Sequence, residues 1–381
     1  MKYAGLLLAI SVLGPSLPFV HAEESKSDTG KSYEQMVARA INYLKVTAQK
    51  DSGSYDPKYG DQEGIGVTAL VTTAVLRHGR TPQDPLVAKS LAHLEKHIQP
   101  DGGIYTKNSL YKNYETCLSV LCLSEANNDG KYDKVIASAD KFVKGIQWDG
   151  TEGEDIEKSH EAYGGAGYGK HGRPDLSNTS FLVEALKAAG NDADDEAMQK
   201  ALLFVSRCQN LETEHNTTKY ASKVNDGGFY YTIAAGGSSQ AGPTEDGGLR
   251  SYASMTYAGL KSMIYAGVDK DDPRVKAAVS WIGKHYDLDV NAGMGDANPD
   301  MATAGLYYYY HTFAKALSAY GEDEIETADG KVHNWREDLI AELASRQQPN
   351  GSWINTENDR WLEGDGALVT GYALLALSYC K

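Results

Sequence analysis

The sequence predicts an all-α protein built as a closed (α/α)6 toroid of six helical hairpins. A glycine-centred turn motif recurs at intervals of tens of residues, which indicates an array of similar units. The first helix of each unit is amphipathic and the second is almost entirely apolar, so we expect an outer and an inner ring of helices. The last helix is apolar and extends almost to the C-terminus, whereas an open solenoid needs polar caps at both ends. The six units are therefore expected to close on themselves.

The turn motif is clearest at residues 347–353, which read Gln-Gln-Pro-Asn-Gly-Ser-Trp. Looser copies occupy residues 99–105, 147–150 and 225–230, and a weaker copy occupies residues 50–55. Asp-Gly and Asn-Gly favour tight turns because glycine readily adopts positive φ. We expect the aromatic residue after the turn to pack between outer helices and the Gln before it to bond free backbone groups.

Six inner helices follow from the apolar stretches between these turns. The turn of the fifth unit is degenerate, near Asn291-Ala292-Gly293. The inner helices are predicted at about residues 65–76, 114–126, 178–189, 249–265, 301–320 and 367–379.

The Gln-x3-Gly-x-Trp motif at residues 347–353 resembles the repeat motif of the squalene cyclases and of the β subunits of protein prenyltransferases. Residues 99–105 and 225–230 are looser versions of it, and the resemblance extends over about residues 33–380. It implies an α/α toroid with a central cavity, which agrees with the helix pattern.

Class II terpene cyclases carry an acidic Asp-x-Asp-Asp motif, and residues 192–195 of this chain read Asp-Ala-Asp-Asp. A carboxyl that protonates an alkene must point into a dry aromatic cavity. Here the motif precedes an outer helix, where Asp84 and Asp272 begin other outer helices. We therefore expect residues 192–195 to cap a helix and not to act as an acid.

The resemblance to prenyltransferases implies a zinc site made by an Asp-x-Cys sequence and a later His. Asp246 stands where the Asp is expected and His311 could match the His, but Gly248 replaces the thiolate ligand. We predict no metal and no cofactor, with Asp246 and His311 as weak candidate ligands.

The starts of the inner helices are expected to converge at one end of the ring, which is the candidate binding site. The chain has 25 Tyr against 6 Phe, and Tyr adds hydroxyl groups that suit sugars or peptides. Core packing of the Tyr side chains and an interior, hydrogen-bonded His311 remain open as alternatives. The inner helices start near Glu63, Glu115, Asn178, Arg250, His311 and Asp365. The candidate ligand-binding residues are Glu115, Arg250, Tyr307, His311 and Asp365.

Residues 1–22 have the pattern of a secretory signal peptide, with a basic start, an apolar stretch and Val20-His21-Ala22 as a cleavage site. We expect residues 23–32 to be a flexible N-terminus, residues 33–381 to form one domain, and the protein to be secreted or held in the periplasm or cell envelope.

Composition excludes some partners. A net charge of −15 disfavours nucleic acid and anionic membranes, and no stretch of the mature chain predicts a membrane span. The four cysteines are expected to be buried free thiols or to form one or two disulfides. They are Cys117, Cys122, Cys208 and Cys380.

Three functions remain open. The first is a binding or scaffold protein for a small molecule, a glycan or a protein, acting through the cavity or the loop-bearing face. The second is an enzyme acting on a glycan, in which Glu115, Asp365 or another carboxyl pair serves as acid and base. The third is a divergent terpenoid cyclase or prenyltransferase.

Overall fold

A computed structural model describes residues 23–56, 64–150, 156–169 and 172–381, with the backbone alone for residues 23–32. The predicted signal peptide at residues 1–22 and the helix start near Glu63 lie outside these residues. The described chain forms thirteen α-helices and one two-stranded sheet, which confirms the all-α class. None of its helices is long and apolar enough to cross a membrane.

The helices are α1 (Glu23–Tyr43), α2 (Ile65–Arg77), α3 (Pro85–Glu95), α4 (Lys112–Ala126), α5 (Asp133–Gly145), α6 (Leu176–Ala188), α7 (Glu196–Arg207), α8 (Ala221–Val224), α9 (Ala253–Tyr265), α10 (Pro273–Lys284), α11 (Leu306–Tyr320), α12 (Trp335–Arg346) and α13 (Gly366–Ser378). A π-helical turn, Leu44–Ala48, follows α1 directly. Helix α1 includes residues 23–32, the segment predicted to be flexible, and gives it a helical backbone.

The inner ring consists of α2, α4, α6, α9, α11 and α13, each of which contacts the next, with α13 contacting α2. Every residue of α2 is buried except Arg77. At the contact between the last and first inner helices, a Cβ added to Gly371 would lie 2.5 Å from Leu70 Cδ2. A larger residue at this position would force the end of the Leu70 side chain to move.

The outer ring consists of α1, α3, α5, α7, α10 and α12. Each presents one apolar face to the inner ring; α5, for example, buries only Ile136, Ala139 and Val143. A helix with one buried stripe and one solvent face keeps its charged residues outside. The predicted difference between the two helices of each unit is thus present in the structure.

The glycine of the turn motif packs on the backbone of the next outer helix. Gly351 has a φ of +91°, and a Cβ added to it would lie 2.6 Å from the carbonyl oxygen of Arg39 in α1. The same approach to the following outer helix recurs at Gly53, Gly102 and Gly227. In the third unit Gly164 makes it, not Gly150 of the predicted copy at residues 147–150. The last copy of the motif therefore joins the sixth unit to the first.

Side chains of the motif reinforce this contact. Gln347 Nε2 donates to the carbonyl oxygens of Met36 and Gly351, at 2.9 and 3.0 Å. The backbone N–H of Trp353 donates to Thr370 Oγ1 at 3.1 Å, which fixes the turn to inner helix α13. The Gln therefore bonds the turn and the next outer helix, where the sequence predicted a bond at the helix end.

Two inner helices start later than predicted. Helix α9 begins at Ala253 because Tyr252 has an extended backbone, with φ −151° and ψ 158°. Helix α11 begins at Leu306, after Gly305 in the left-handed region at φ +69°. Met301 belongs instead to a short 3-10 helix, Pro299–Met301.

A β-hairpin that the sequence analysis did not predict connects α11 to α12. Strand β1 (Glu324–Glu326) pairs antiparallel with β2 (Val332–Asn334) around a turn at Gly330. The hairpin packs on α10, where the Ala328 N–H donates to the Gly283 carbonyl oxygen at 2.9 Å.

All four cysteines are buried free thiols, which confirms the first of the two predictions for them.

Candidate functional site

A cavity of about 330 Å³ lies where the first two turns of the six inner helices converge. The sequence predicted this end of the ring as the binding site. Every inner helix contributes to the wall. The contributing residues include Gly66, Glu115, Phe181, Ser254, Tyr308 and Tyr372.

Tyrosine dominates the cavity wall. Tyr114 packs edge-to-face on Phe181, with ring centroids 5.2 Å apart, and Tyr308 packs in the same way on Tyr372 at 5.9 Å. The Tyr308 hydroxyl lies 2.9 Å from Ser177 Oγ. Such mutual packing fixes the ring planes and leaves apolar faces and a few hydroxyl groups toward the cavity. The lining tyrosines among the described residues are Tyr111, Tyr114, Tyr168, Tyr231, Tyr252, Tyr308 and Tyr372.

Aromatic side chains at the cavity rim are exposed to solvent. Tyr111 and Tyr168 meet edge-to-face with ring centroids 5.3 Å apart, and their exposed fractions are 41% and 40%. Trp361, on the loop before α13, is 43% exposed. Large apolar side chains grouped around a concave opening are typical of an interaction site.

The loop that carries Trp361 is strained. Trp361 and Leu362 have φ values of +56° and +66°, in the left-handed region that bulky side chains rarely adopt. Each such residue costs about 1–3 kcal/mol and persists only when its surroundings hold it there. The Trp361 ring covers Gly305, where an added Cβ would lie 3.1 Å from the ring.

Glu363 holds this strained loop in place. Its Oε1 accepts the N–H groups of Tyr307 and Tyr308 at 2.9 and 2.8 Å, and its Oε2 accepts Asn355 Nδ2 at 2.8 Å. Burial raises the pKa of Glu363 to about 7, although these hydrogen bonds oppose the shift. The carboxyl group therefore caps the start of α11 and anchors the loop to it.

Asp175 has the same kind of role at the start of α6. Its Oδ1 accepts the Asn178 N–H and its Oδ2 accepts Asn178 Nδ2, both at 2.8 Å. Burial raises the pKa of Asp175 to about 6, against the effect of those hydrogen bonds. In the part of the chain that the structure describes, the two buried carboxyls with raised pKa values thus hold helix starts.

We predict that Glu363→Gln changes the pH dependence of stability. The folded pKa of Glu363, about 7, lies above the ordinary value of 4.5, so its contribution to stability is complete below pH 4.5 and is lost as the pH rises through 7. The difference in free energy of unfolding, variant minus wild type, is expected to rise by about 3 kcal/mol between pH 4.5 and pH 7.5. Urea unfolding across this range measures the gain, and Glu357→Gln, an exposed change in the same loop, is the control. A constant difference between Glu363→Gln and wild type contradicts the prediction.

Of the predicted ligand-binding residues, Glu115 lines the cavity and is 1% exposed. Asp365 instead caps α13, where its Oδ1 accepts the N–H groups of Ala367 and Leu368. Arg250 is half-buried in the loop before α9 and is not part of the cavity wall. The predicted convergence therefore brings one of these three side chains to the cavity.

Tyr307 and His311 are buried away from the cavity. The Tyr307 ring packs edge-to-face on Tyr310, with centroids 5.5 Å apart. His311 is 3% exposed, and burial, followed by the charge of Lys315, holds its pKa well below the usual range. Asp246, the other weak candidate for a metal, is exposed and its carboxylate accepts the Thr244 hydroxyl. The structure therefore does not bring Asp246 and His311 together.

Residues 192–195 cap outer helix α7, as the sequence predicted. Asp195 Oδ1 accepts the N–H groups of Ala197 and Met198 at 3.0 and 3.2 Å. Asp84 and Asp272 cap α3 and α10 in the same manner. The Asp-x-Asp-Asp motif thus serves the outer ring.

Most residues of the cavity wall were not predicted from the sequence. The signal for Tyr114 and Tyr372 was present, because both lie within the first turns of predicted inner helices. Trp361 and Glu363 carried no such signal, because they depend on a loop whose left-handed backbone no local residue pattern predicts.

Comparison with known proteins gives one family match. Residues 59–234 match the family model described as the squalene-hopene cyclase C-terminal domain. No curated protein matches the sequence.

Solved structures resemble the chain at low sequence identity. A variant of the type II terpene cyclase MstE from Scytonema, bound to geranylgeranyl dihydroxybenzoate as substrate, is 13% identical; the match covers 93% of this chain and 99% of that chain, with a TM-score of 0.33. A protein from Actinoplanes is 14% identical, covers 91% of this chain and 99% of that chain, and gives a TM-score of 0.36.

Proposed function

We propose that this squalene-cyclase/prenyltransferase-like protein binds a small molecule in its tyrosine-lined cavity. The ligand has an apolar body with rings or branches, and it carries one or two hydroxyl or carbonyl groups. The observation that carries this proposal is the cavity itself, open at the convergence of the six inner helix starts.

The size of the cavity limits the ligand. Its volume of about 330 Å³ is near the lower end of the 300–1,000 Å³ typical of small-molecule sites. A long glycan or a folded protein partner does not fit inside. The cavity therefore favours a small molecule over the glycan and protein partners that the sequence left open.

The wall chemistry supports a mostly apolar ligand. The faces of Phe181, Tyr114 and Tyr308 offer broad apolar area, and Met255 and Leu368 extend it. Stacking on such rings stabilises a flat or branched hydrocarbon body.

Polar groups among the described wall residues give the ligand an orientation. Ser177 Oγ and the Tyr308 hydroxyl form one polar point in the wall, and the Glu115 carboxyl forms another. A few placed polar groups in an apolar pocket are the usual source of specificity.

Binding accounts for the site better than catalysis does. Proton transfer to a substrate needs a carboxyl directed at the reacting atom. Asp175 and Glu363, the buried carboxyls with raised pKa values among the described residues, are engaged by backbone and amide donors at helix starts. Asp365, part of the proposed glycan-active pair, also caps a helix.

The proposal is tested with N-phenyl-1-naphthylamine, a neutral ring-bearing probe whose fluorescence rises in apolar sites. Wild type is expected to bind it saturably, with farnesol competing and glucose not competing. Val67→Trp places a larger side chain in the cavity. It is expected to weaken binding of the probe about tenfold or more, because most of the probe can then no longer contact the cavity wall.

The control is the same substitution at Val46→Trp, because Val46 is 72% exposed and outside the cavity wall. It is expected to bind like wild type. Ser177→Phe repeats the block from another inner helix. Unchanged probe binding in both blocked variants, each shown to be folded by circular dichroism, rules the proposal out, as does competition by glucose.

A further inference from the structure

A second cavity, of about 390 Å³, lies at the opposite end of the inner ring, toward the helix C-termini. We call it the charged chamber. It is independent of the tyrosine-lined cavity, with which it shares no lining residue. The chamber is lined by Arg77, Leu121, Ser124, Glu125, Glu184, Lys187, Ala188, Tyr265, Lys315 and Tyr379.

Two buried lysines share one buried carboxylate at the chamber. Lys261 bonds Oε1 of Glu184 and Lys315 bonds Oε2. The side chains of Lys261, Lys315 and Glu184 are 1%, 5% and 1% exposed. Burial raises the pKa of Glu184, but the charges of the two lysines outweigh burial and hold it well below its usual range. Burial also lowers the pKa of both lysines, which Glu184 opposes. With both lysines protonated, the cluster contains one negative and two positive groups.

The other charged groups at the chamber do not cancel this excess. Arg77 Nε donates to Glu125 Oε1 at 2.5 Å and its Nη1 bonds the Tyr379 hydroxyl, so Arg77 and Glu125 balance. Lys187 Nζ lies 5.0 Å from the centre of the Tyr265 ring and adds another positive charge. Three cations and two carboxylates thus line the chamber, and Lys261, which is not a lining residue, adds a fourth cation through its bond to Glu184.

Helix C-termini offer partial negative charge that cations can neutralise, which is the competing explanation. The C-terminal carbonyls of α13 already have donors, because the Tyr33 hydroxyl bonds Leu377 O at 2.9 Å and His78 Nε2 bonds Leu374 O at 2.8 Å. At α6, Ser124 Oγ donates to Ala188 O at 3.3 Å.

The lysine ammonium groups bond Glu184 and no carbonyl among the hydrogen bonds of the described residues. An ammonium group has three donors, so each of Lys261 and Lys315 keeps two for another acceptor. An excess buried charge is costly unless a further partner compensates it. The chamber opens to solvent beside the exposed Lys187, which gives a small ion a route in.

We propose that the charged chamber binds a small oxyanion, a phosphate or a carboxylate, through Lys315 with Arg77 and Lys187 around it. The ion supplies the negative charge that the lysine pair lacks and accepts the remaining donors of Lys315. Charge-assisted hydrogen bonds of this kind are roughly twice as strong as neutral ones.

The test is thermal unfolding of wild type in inorganic phosphate, in acetate and in chloride at one ionic strength. Phosphate or acetate is expected to raise Tm saturably by about 3–6 °C over chloride, because a ligand that binds only the folded state stabilises it. Comparing the Tm in phosphate with the Tm in acetate distinguishes a phosphate site from a carboxylate site. In wild-type protein, saturable broadening of the phosphate signal in ³¹P NMR is expected if phosphate is the ligand.

Lys315→Met is expected to remove the anion effect while leaving Tm in chloride unchanged or higher, because one lysine then matches one carboxylate. Lys261→Met gives a second variant of the same kind. Lys141→Met, on the exposed face of α5, is expected to keep the full effect. Equal Tm values in all three salts, or an anion effect retained in Lys315→Met, overturns the proposal.

Discussion

Glu184→Gln is expected to lower the free energy of unfolding by about 3–5 kcal/mol, because it leaves two buried ammonium groups without their carboxylate. Glutamine keeps the shape of the side chain, so the loss reports charge and not volume. Lys261 and Lys315 are both at least 95% buried and both bond this one carboxylate. Guanidinium unfolding at pH 7 measures the loss.

The pH of this measurement matters. The folded pKa of Glu184 is held below the ordinary value of 4.5, so its contribution to stability is present above that value and is lost as the pH falls through the folded pKa. At pH 7 the full penalty of Glu184→Gln is therefore observed, and it is expected to shrink in acid.

Two control proteins separate charge from packing. Glu125→Gln removes a carboxylate that is 34% exposed and is expected to cost under about 1 kcal/mol. The triple variant Glu184→Leu, Lys261→Met, Lys315→Met replaces the whole cluster by apolar side chains and is expected to be as stable as wild type or more so. A Glu184→Gln protein as stable as wild type shows that a lysine loses its proton instead.

The sequence was sufficient to predict the ring because its signals are local and repeated. Apolar stretches located the inner helices to within a few residues, as for Ile65–Arg77 and Gly366–Ser378. The boundaries that failed, at Ala253 and Leu306, depend on loops folded against other units. The local periodicity of the sequence does not predict tertiary contacts of this kind.

The candidate cavity could be located at one end of the ring but not resolved into residues. Convergence of the inner helix starts follows from topology, and Glu115, one of the candidates that it gave, lines the cavity. It did not show which side of a helix start faces inward. Asp365 and Tyr307 are close in sequence to the cavity wall, yet one caps a helix and the other packs on Tyr310.

The charged chamber had a sequence signal that the analysis did not use. Glu184, Lys261 and Lys315 are isolated charges inside helices predicted to be buried all round. A charge in such a position must find a partner in the interior. Three single charges on three inner helices therefore indicate a buried cluster, although not which of them meet.

Gly351→Ala is expected to be as damaging as the loss of Glu184, because it combines two separate costs. Alanine at a φ of +91° is strained by about 1–2 kcal/mol. Its Cβ would also lie 2.6 Å from Arg39 O and 2.8 Å from Arg39 C, a backbone group that cannot rotate away. The turn would have to move off α1, and the Gln347 bond to Met36 would be lost with it.

Gly190→Ala measures the strain of alanine at positive φ by itself. Gly190 has a φ of +94°, nearly that of Gly351, but no atom lies within 4 Å of an added Cβ. We expect it to cost about 1–2 kcal/mol and Gly351→Ala at least about 2 kcal/mol more. Urea unfolding of the two variants side by side measures the difference. If both variants lose the same free energy of unfolding, the contact between the last turn and α1 can shift without destabilising the protein. Helix packing alone would then join α12, α13 and α1.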